Sequence, residues 1–256
     1  MIDPRAIIDP SAVLADDVEV GPWTVIGANV EIGSGTVISS HVVVKGPTTI
    51  GNNNRIFQFA SIGEDCQDKK FAGEHTRLEI GDNNVFREGV TVHRGTVQDK
   101  GLTSIGNDNL FMAYSHVAHD AVLGNNIVVA NSTAIAGHVH VGDWVILGGL
   151  TGIHQFCKIG PHSMTGAHSM VVKDIPAFVL VSGNPASSHG MNYEGLKRRG
   201  YTKDTINTLR KAYKLVFRQG NTVTQSVVEL EKMVKDEPIL KLLIDSLTSS
   251  TRGIVR

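Results

Sequence analysis

The chain has 256 residues, with 24 Lys and Arg against 25 Asp and Glu, 27 glycines, 5% aromatic residues and only two cysteines, Cys66 and Cys157. That length can bury a sizeable core, the balanced charge argues against a general polyanion binder, and two cysteines far apart argue against a disulfide framework or a cysteine zinc site. The opening Met1-Ile2-Asp3-Pro4-Arg5 has no apolar run behind a basic start, and no stretch reaches the length of a membrane span, so a soluble, cytoplasmic protein is expected.

From Ile2 every sixth residue is aliphatic: Ile8, Leu14, Val20, Ile26, Ile32, Ile38, Val44, Ile50, Ile56 and Ile62. The frame resumes at Ile80, Phe86 and Val92, shifts by one residue, and runs from Ile105 to Val171 with only Thr165 polar. A period of six fits neither a helix nor a heptad coil. It suits short strands that each send one large residue inward, with Gly or Asn at many of the turns. Val18, Thr24, Val30, Thr36, Val42 and Thr48 sit two positions earlier and share the inward face, because side chains alternate along a strand. Three strands close one triangular coil, so residues eighteen apart are expected to stack in columns.

Two interruptions break the frame. Between Glu64 and Glu79 the frame positions are Asp68 and Glu74, yet the frame returns unshifted; between Thr96 and Ser104 it moves by one residue. Each predicts a loop that leaves the coil and comes back, near 64–79 and 96–104. After Val172 the repeat fades into a connector bracketed by Pro176 and Pro185. Thr202 to Gln219 reads as an amphipathic helix stopped by Gly220, Thr222 and Gln225 form a capping box before a second helix, and Pro238 opens a last one. The expected fold is mainly β, a solenoid domain over 1–185 and a small C-terminal α-helical domain over 186–256.

Candidate chemistry lies on the coil. His119, Gly137 and Gln155 are spaced by eighteen and are expected on one outer face, with His138 one coil above Asp120. An imidazole suits removal of a hydroxyl proton at neutral pH, a neighbouring carboxylate can orient it, and an exposed Gly137 N–H could bind an oxyanion. His116, His119, His138, His140 and His154 also form a candidate ligand set for a metal. Against this, His116 and His119 are three apart, an offset that points them to different faces of a regular strand. No Gly-x-Ser-x-Gly elbow or phosphate loop is present, and neither cysteine sits in a nucleophile setting. Lys197 to Arg218 forms a local basic patch suited to a diphosphate or an acidic carrier protein; nucleic acid is disfavoured because no interleaved aromatics accompany the charges.

The hexapeptide period resembles that of hexapeptide-repeat acyltransferases, which implies a left-handed parallel β-helix, an exception to the usual right-handed crossover. The strings Ser61-Ile-Gly-Glu64, Gly73-Glu74, Thr91-Val-His-Arg-Gly-Thr-Val-Gln98, His116-Val-Ala-His-Asp120, Ala136-Gly-His-Val139, His154-Gln-Phe-Cys157, Asn192-Tyr-Glu-Gly-Leu-Lys-Arg-Arg-Gly200 and Ser250-Thr-Arg-Gly253 resemble the UDP-N-acetylglucosamine O-acyltransferase family. The resemblance covers essentially the whole chain. It implies transfer of a (3R)-hydroxyacyl chain from acyl carrier protein to the glucosamine 3-hydroxyl of UDP-N-acetylglucosamine, the first step of lipid A synthesis, in a homotrimer with sites between subunits and no cofactor.

By the same resemblance His119 is the general base, Asp120 its partner and Gly137 the oxyanion donor. His116, His138 and Gln155 hold the sugar nucleotide or the acyl hydroxyl, and Asp68 and Lys70 reach substrate from the first loop. Asn192, Glu194, Arg198 and Arg199 bind the diphosphate and uridine side. Asn131, Gly149 and Ala167 stand at the end of the acyl groove, where the methyl of Ala167 implies a chain shorter than the longest the family uses. The alternatives are a related sugar N-acyltransferase or acetyltransferase of the same fold, a metal enzyme like the γ-class carbonic anhydrases, and a non-enzymatic scaffold. The N-acyltransferase carries an extra N-terminal domain, for which a frame starting at Ile2 leaves no room; the acetyltransferases lack this helical tail.

Overall fold

The structure, a computed structural model, describes all 256 residues. Three sheets of nine, eight and ten strands, parallel except for the last strand of the third, form the walls of a triangular prism, and successive strands of the coil visit the walls in turn. Most strands are two residues long, and each pairs with the strand one coil away, as in Ile7↔Val25 and Val25↔Val43. The expected eighteen-residue coil is therefore the observed one. Each wall turns one side chain per strand inward, and Ile26, Val44, Ile62, Val92, Val117, Ile135, Ile153 and Val171 stack as one buried column. Thr24, Thr36 and Thr48 are buried as well, and each of these three hydroxyls donates to a backbone carbonyl. Phe86 and Phe111 are fully buried and stack with ring centroids 4.8 Å apart.

The corners bend through left-handed backbone at Asn29, Asn53, Asn83 and Asn126, but also at Trp23, Phe59, Tyr114 and Phe156, where bulky residues rarely go. Inside one corner Asn54, Asn84 and Asn109 form a buried ladder. The Asn54 carboxamide oxygen accepts from the Asn84 backbone N–H at 2.9 Å, and the Asn84 oxygen accepts from the Asn109 N–H at 3.0 Å.

Two excursions leave the coil. Ile50 pairs with Ile80, thirty residues on, so the first adds twelve residues to the usual eighteen, two hexapeptides, and the inward frame survives. Ile80 pairs with Ile105, twenty-five residues on, so the second adds seven, which is the one-residue shift seen in the sequence. Both loops are shorter than expected, because the strands Arg77–Ile80 and Leu102–Ile105 already belong to the coil. The loops are also tied together: Arg94 N–H donates to the Glu64 carbonyl, its buried guanidinium contacts the Gly63 carbonyl and Asp65, and Gly95 N–H donates to Arg77.

The last wall continues past residue 185. Val179–Ser182 turns back antiparallel onto Ser187–Met191, so a hairpin straddles the expected boundary between coil and tail. A short helix α1 (Tyr193–Arg198) follows, then α2 (Lys203–Phe217), α3 (Val223–Met233) and α4 (Leu240–Thr248). Thr202 caps α2, and Thr222 with Gln225 makes the expected capping box on α3. Leu209, Val216, Leu230, Leu240 and Leu243 bury the inner faces of these helices in the core that also covers the end of the coil. Buried Asp174 latches the C-terminus: it accepts from Lys158 N–H, the Ser250 hydroxyl, Thr251 N–H and Arg252 N–H at 2.7–3.2 Å. No helix is long and apolar enough to cross a membrane.

Candidate active site

Strand register puts His116, Ala134, Gly152 and Met170 in one column on the outside of a wall. Beside it, at the corner, His119, Gly137 and Gln155 succeed one another as the eighteen-residue spacing requires. They line a cavity of about 590 Å³ together with His93, His116, Ala118, Ala134, Ile153, His154 and Met170, while Gln67, Asp68 and Lys69 of the first excursion overhang it. A second cavity of about 490 Å³ adjoins it, sharing Asp68, His119 and Gln155 and adding Lys70, Gln98, Asp99, His138 and Phe156. One arm is therefore floored by Ala, Gly, Ile and Met, and the other is walled by charged and amide groups. His119 stands where they meet.

His119 is nearly buried, and its Nδ1 lies 2.9 Å from Asp120 Oδ2. Asp120 is buried too. Its carboxylate accepts from the Thr96 backbone N–H at 2.9 Å and the Thr96 hydroxyl at 2.6 Å. Burial is the largest single influence on this carboxyl and opposes ionisation, but the hydrogen bonds from His119 and Thr96 together outweigh it and hold the group below its ordinary value. An ionised carboxylate can only accept, so the shared proton sits on His119 Nδ1 and the Nε2 lone pair faces the cavity. The Gly137 N–H makes no hydrogen bond within the chain, and Gly137 lies so close to the imidazole that a Cβ there would be 2.7 Å from Nε2. A base and a free amide donor thus lie side by side at the cavity.

His116 and His119 line the same cavity, contrary to the expectation from their offset: one is on the strand and the other at the corner beyond it. Thr91 Oγ1 meets His116 Nδ1 at 2.7 Å, and burial, helped by His93 and His119, pushes the His116 pKa down to about 4, so this ring is neutral at pH 7. His138 stacks on Phe156 at 4.4 Å, with Nε2 3.8 Å from Asp120 and Nδ1 3.1 Å from Asp99. Of the five histidines weighed as metal ligands, only His119 and His138 cluster, joined by Asp120, with ligand atoms within 4.8 Å of one another. These are the donors that could hold a metal.

Other sequence candidates fall elsewhere. Asn131, Gly149 and Ala167 stack at a different corner and line neither cavity of the single chain, while Met170 is among the residues that line the apolar arm. Asn192 is buried, with its oxygen capping α1 at Gly195 N–H and its nitrogen donating to the His162 carbonyl, so both ends are engaged. Arg199 donates to the Trp144 carbonyl at 2.7 Å and packs over the Trp144 ring. Glu194 pairs with Lys197 on the surface, and Arg198 is exposed. None of the four tail residues reaches His119 in the single chain. Sequence reasoning assigned no role to His93, Thr96, Gln98, Asp99 or Met170. The first four lie in or beside the frame shift, where column counting fails.

The comparisons with known proteins converge. Residues 174–255 match the family model described as UDP N-acetylglucosamine O-acyltransferase, domain 2. A Pseudomonas fluorescens protein named acyl-[acyl-carrier-protein]–UDP-N-acetylglucosamine O-acyltransferase is 62% identical over 256 residues, covering 100% of this chain and 99% of the relative. The chain belongs to the UDP-N-acetylglucosamine O-acyltransferase family. It is an acyltransferase. The solved O-acyltransferase from Moraxella catarrhalis superposes with a TM-score of 0.98 at 53% identity, covering 100% of this chain and 99% of the other. The Francisella novicida UDP-N-acetylglucosamine acyltransferase gives 0.98 at 40% identity, covering 100% and 94%. The coil is accordingly the left-handed parallel β-helix of these O-acyltransferases.

Proposed function

We propose that this chain moves a (3R)-hydroxyacyl group from acyl carrier protein to the glucosamine 3-hydroxyl of UDP-N-acetylglucosamine, the first step of lipid A biosynthesis. The observation that carries the reading is the placement of His119 Nε2 and the Gly137 N–H at the junction of an apolar and a polar arm. The acyl chain takes the apolar arm and the sugar nucleotide the polar one. His119 Nε2 removes the 3-hydroxyl proton while the oxygen attacks the thioester carbonyl, and Asp120 stabilises the imidazolium that forms. The Gly137 N–H binds the tetrahedral oxyanion. The carbon–sulfur bond then breaks, and the carrier thiolate takes the proton back from His119. No acyl-enzyme forms, in keeping with the absence of an activated Ser or Cys beside His119.

Asp68, Lys70, His116, His138 and Gln155 surround the junction and orient the substrates. A homotrimer accounts for the remaining residues: Asn192, Glu194, Arg198 and Arg199 act on the nucleotide from a neighbouring subunit. The basic face of α2, with Arg210, Lys211 and Lys214 bordering a surface hollow, suits an acidic carrier. The test is incubation with UDP-N-acetylglucosamine and hydroxyacyl carrier protein, followed by analysis for ester at the 3-position. Absence of ester, or full turnover by His119→Ala, overturns the reading.

A further inference from the structure

We propose that Asp99 is a positioning residue for His138, fixing the imidazole tautomer presented to the sugar nucleotide. This rests on the reading just given and goes beyond it to a residue outside the repeat frame. Asp99 belongs to the second excursion, whose turn is closed by the Thr96 carbonyl accepting from both Asp99 N–H and Gly101 N–H. The same turn grips the site twice. Thr96 donates two hydrogen bonds to Asp120, and the Asp99 carboxylate lies 3.1 Å from His138 Nδ1. The turn is thus a clamp across two successive coils, anchored through the base's own partner.

A carboxylate at Asp99 accepts only, so the proton of a neutral His138 resides on Nδ1 and Nε2 carries the lone pair. The ring cannot easily turn away, since Phe156 stacks on one face and His119 meets it edge-on at 5.1 Å. His138 therefore offers the polar arm an acceptor, matched to a substrate hydroxyl or amide N–H. Without Asp99 the only carboxylate at ion-pairing distance from the ring is Asp120, 3.8 Å from Nε2. The proton moves to that side, and the acceptor becomes a donor.

Asp99 is partly exposed, so its replacement leaves the fold intact. In Asp99→Ala the KM for UDP-N-acetylglucosamine rises about tenfold, the size of one lost hydrogen bond between neutral groups, while kcat and the KM for the acyl carrier stay within about twofold. In Asp99→Asn, whose carboxamide oxygen still accepts from Nδ1–H, the KM returns to within about threefold of wild type. Imidazole 15N spectra of uniformly histidine-labelled protein, with His138→Gln for assignment, show the proton on Nδ1 in wild type and on Nε2 in Asp99→Ala. An unchanged KM in Asp99→Ala overturns the proposal. So does a raised KM with no change of tautomer, which makes Asp99 a direct substrate contact. The spectra need no turnover, so a wild-type protein inactive on these substrates fails the proposed function and leaves the tautomer assignment to be judged separately.

Discussion

Replacing Gly137 by alanine tests the site with the smallest possible change. The backbone there is not left-handed, so alanine is tolerated locally. The new Cβ, however, would lie 2.5 Å from His119 Cε1 and 2.7 Å from Nε2. Carbon atoms in contact sit about 3.5 Å apart, so the imidazole must retreat by about 1 Å. It is nearly buried and held by a 2.9 Å hydrogen bond to Asp120, so it retreats by tilting off the line to the substrate. A misplacement of about 1 Å costs about 10²-fold in rate. The expected result is therefore a fall of about 100-fold in kcat, read by steady-state transfer to UDP-N-acetylglucosamine, with an unchanged melting temperature. A kcat within about threefold of wild type would refute the claim that Gly137 and His119 act on one reacting centre.

Three further outcomes follow from the geometry. Asp174→Ala leaves four donors without their acceptor and is expected to cost about 3 kcal/mol, measured by urea denaturation; a change below about 0.5 kcal/mol would show that the C-terminal latch contributes nothing. His116 and His162 are both held near pKa 4, chiefly by burial, with His93 and His119 adding at the first and Arg199 at the second. Their folded values lie below the ordinary histidine value, so the unfolded chain binds protons that the native one refuses: stability is complete above about pH 6.5 and falls as pH drops toward 4. Melting temperatures across that range should decline, and His162→Gln should flatten the decline. Met170→Ala widens the apolar arm that Met170 lines, and a competition among carrier proteins of different chain lengths should shift toward longer chains; an unchanged preference would place the end of the chain elsewhere.

The coil was legible because its rule is strict. Ile26, Val44 and Ile62 must all be aliphatic if one column is to stay dry, so the spacing alone disclosed the eighteen-residue turn and brought His119, Gly137 and Gln155 together. The inward Thr165 breaks the pattern without harm because its hydroxyl accepts from Gly148 N–H. The hairpin Val179–Ser182/Ser187–Met191 was hidden because Ser187, Ser188, His189 and Gly190 carry no apolar alternation. Thr96 and Asp99 were hidden for another reason: an excursion of arbitrary path has no register, so sequence distance says nothing about which imidazole or carboxylate it meets. Asn192 and Arg199 show a further limit: the carbonyl contacts that Asn192 makes to His162 and Arg199 to Trp144 join parts of the chain far apart in sequence, which spacing does not disclose.

The whole-turn spacing of the prism has a consequence for how such a chain can change. Between the second excursion and Val171 each wall repeats without slack, so losing a single residue between Asp120 and Gly137 would rotate the side chains that follow by one step. The glycine amide would leave the imidazole, and inward aliphatics would meet water in the same event. Length can vary freely only where the chain has already stepped outside its own count.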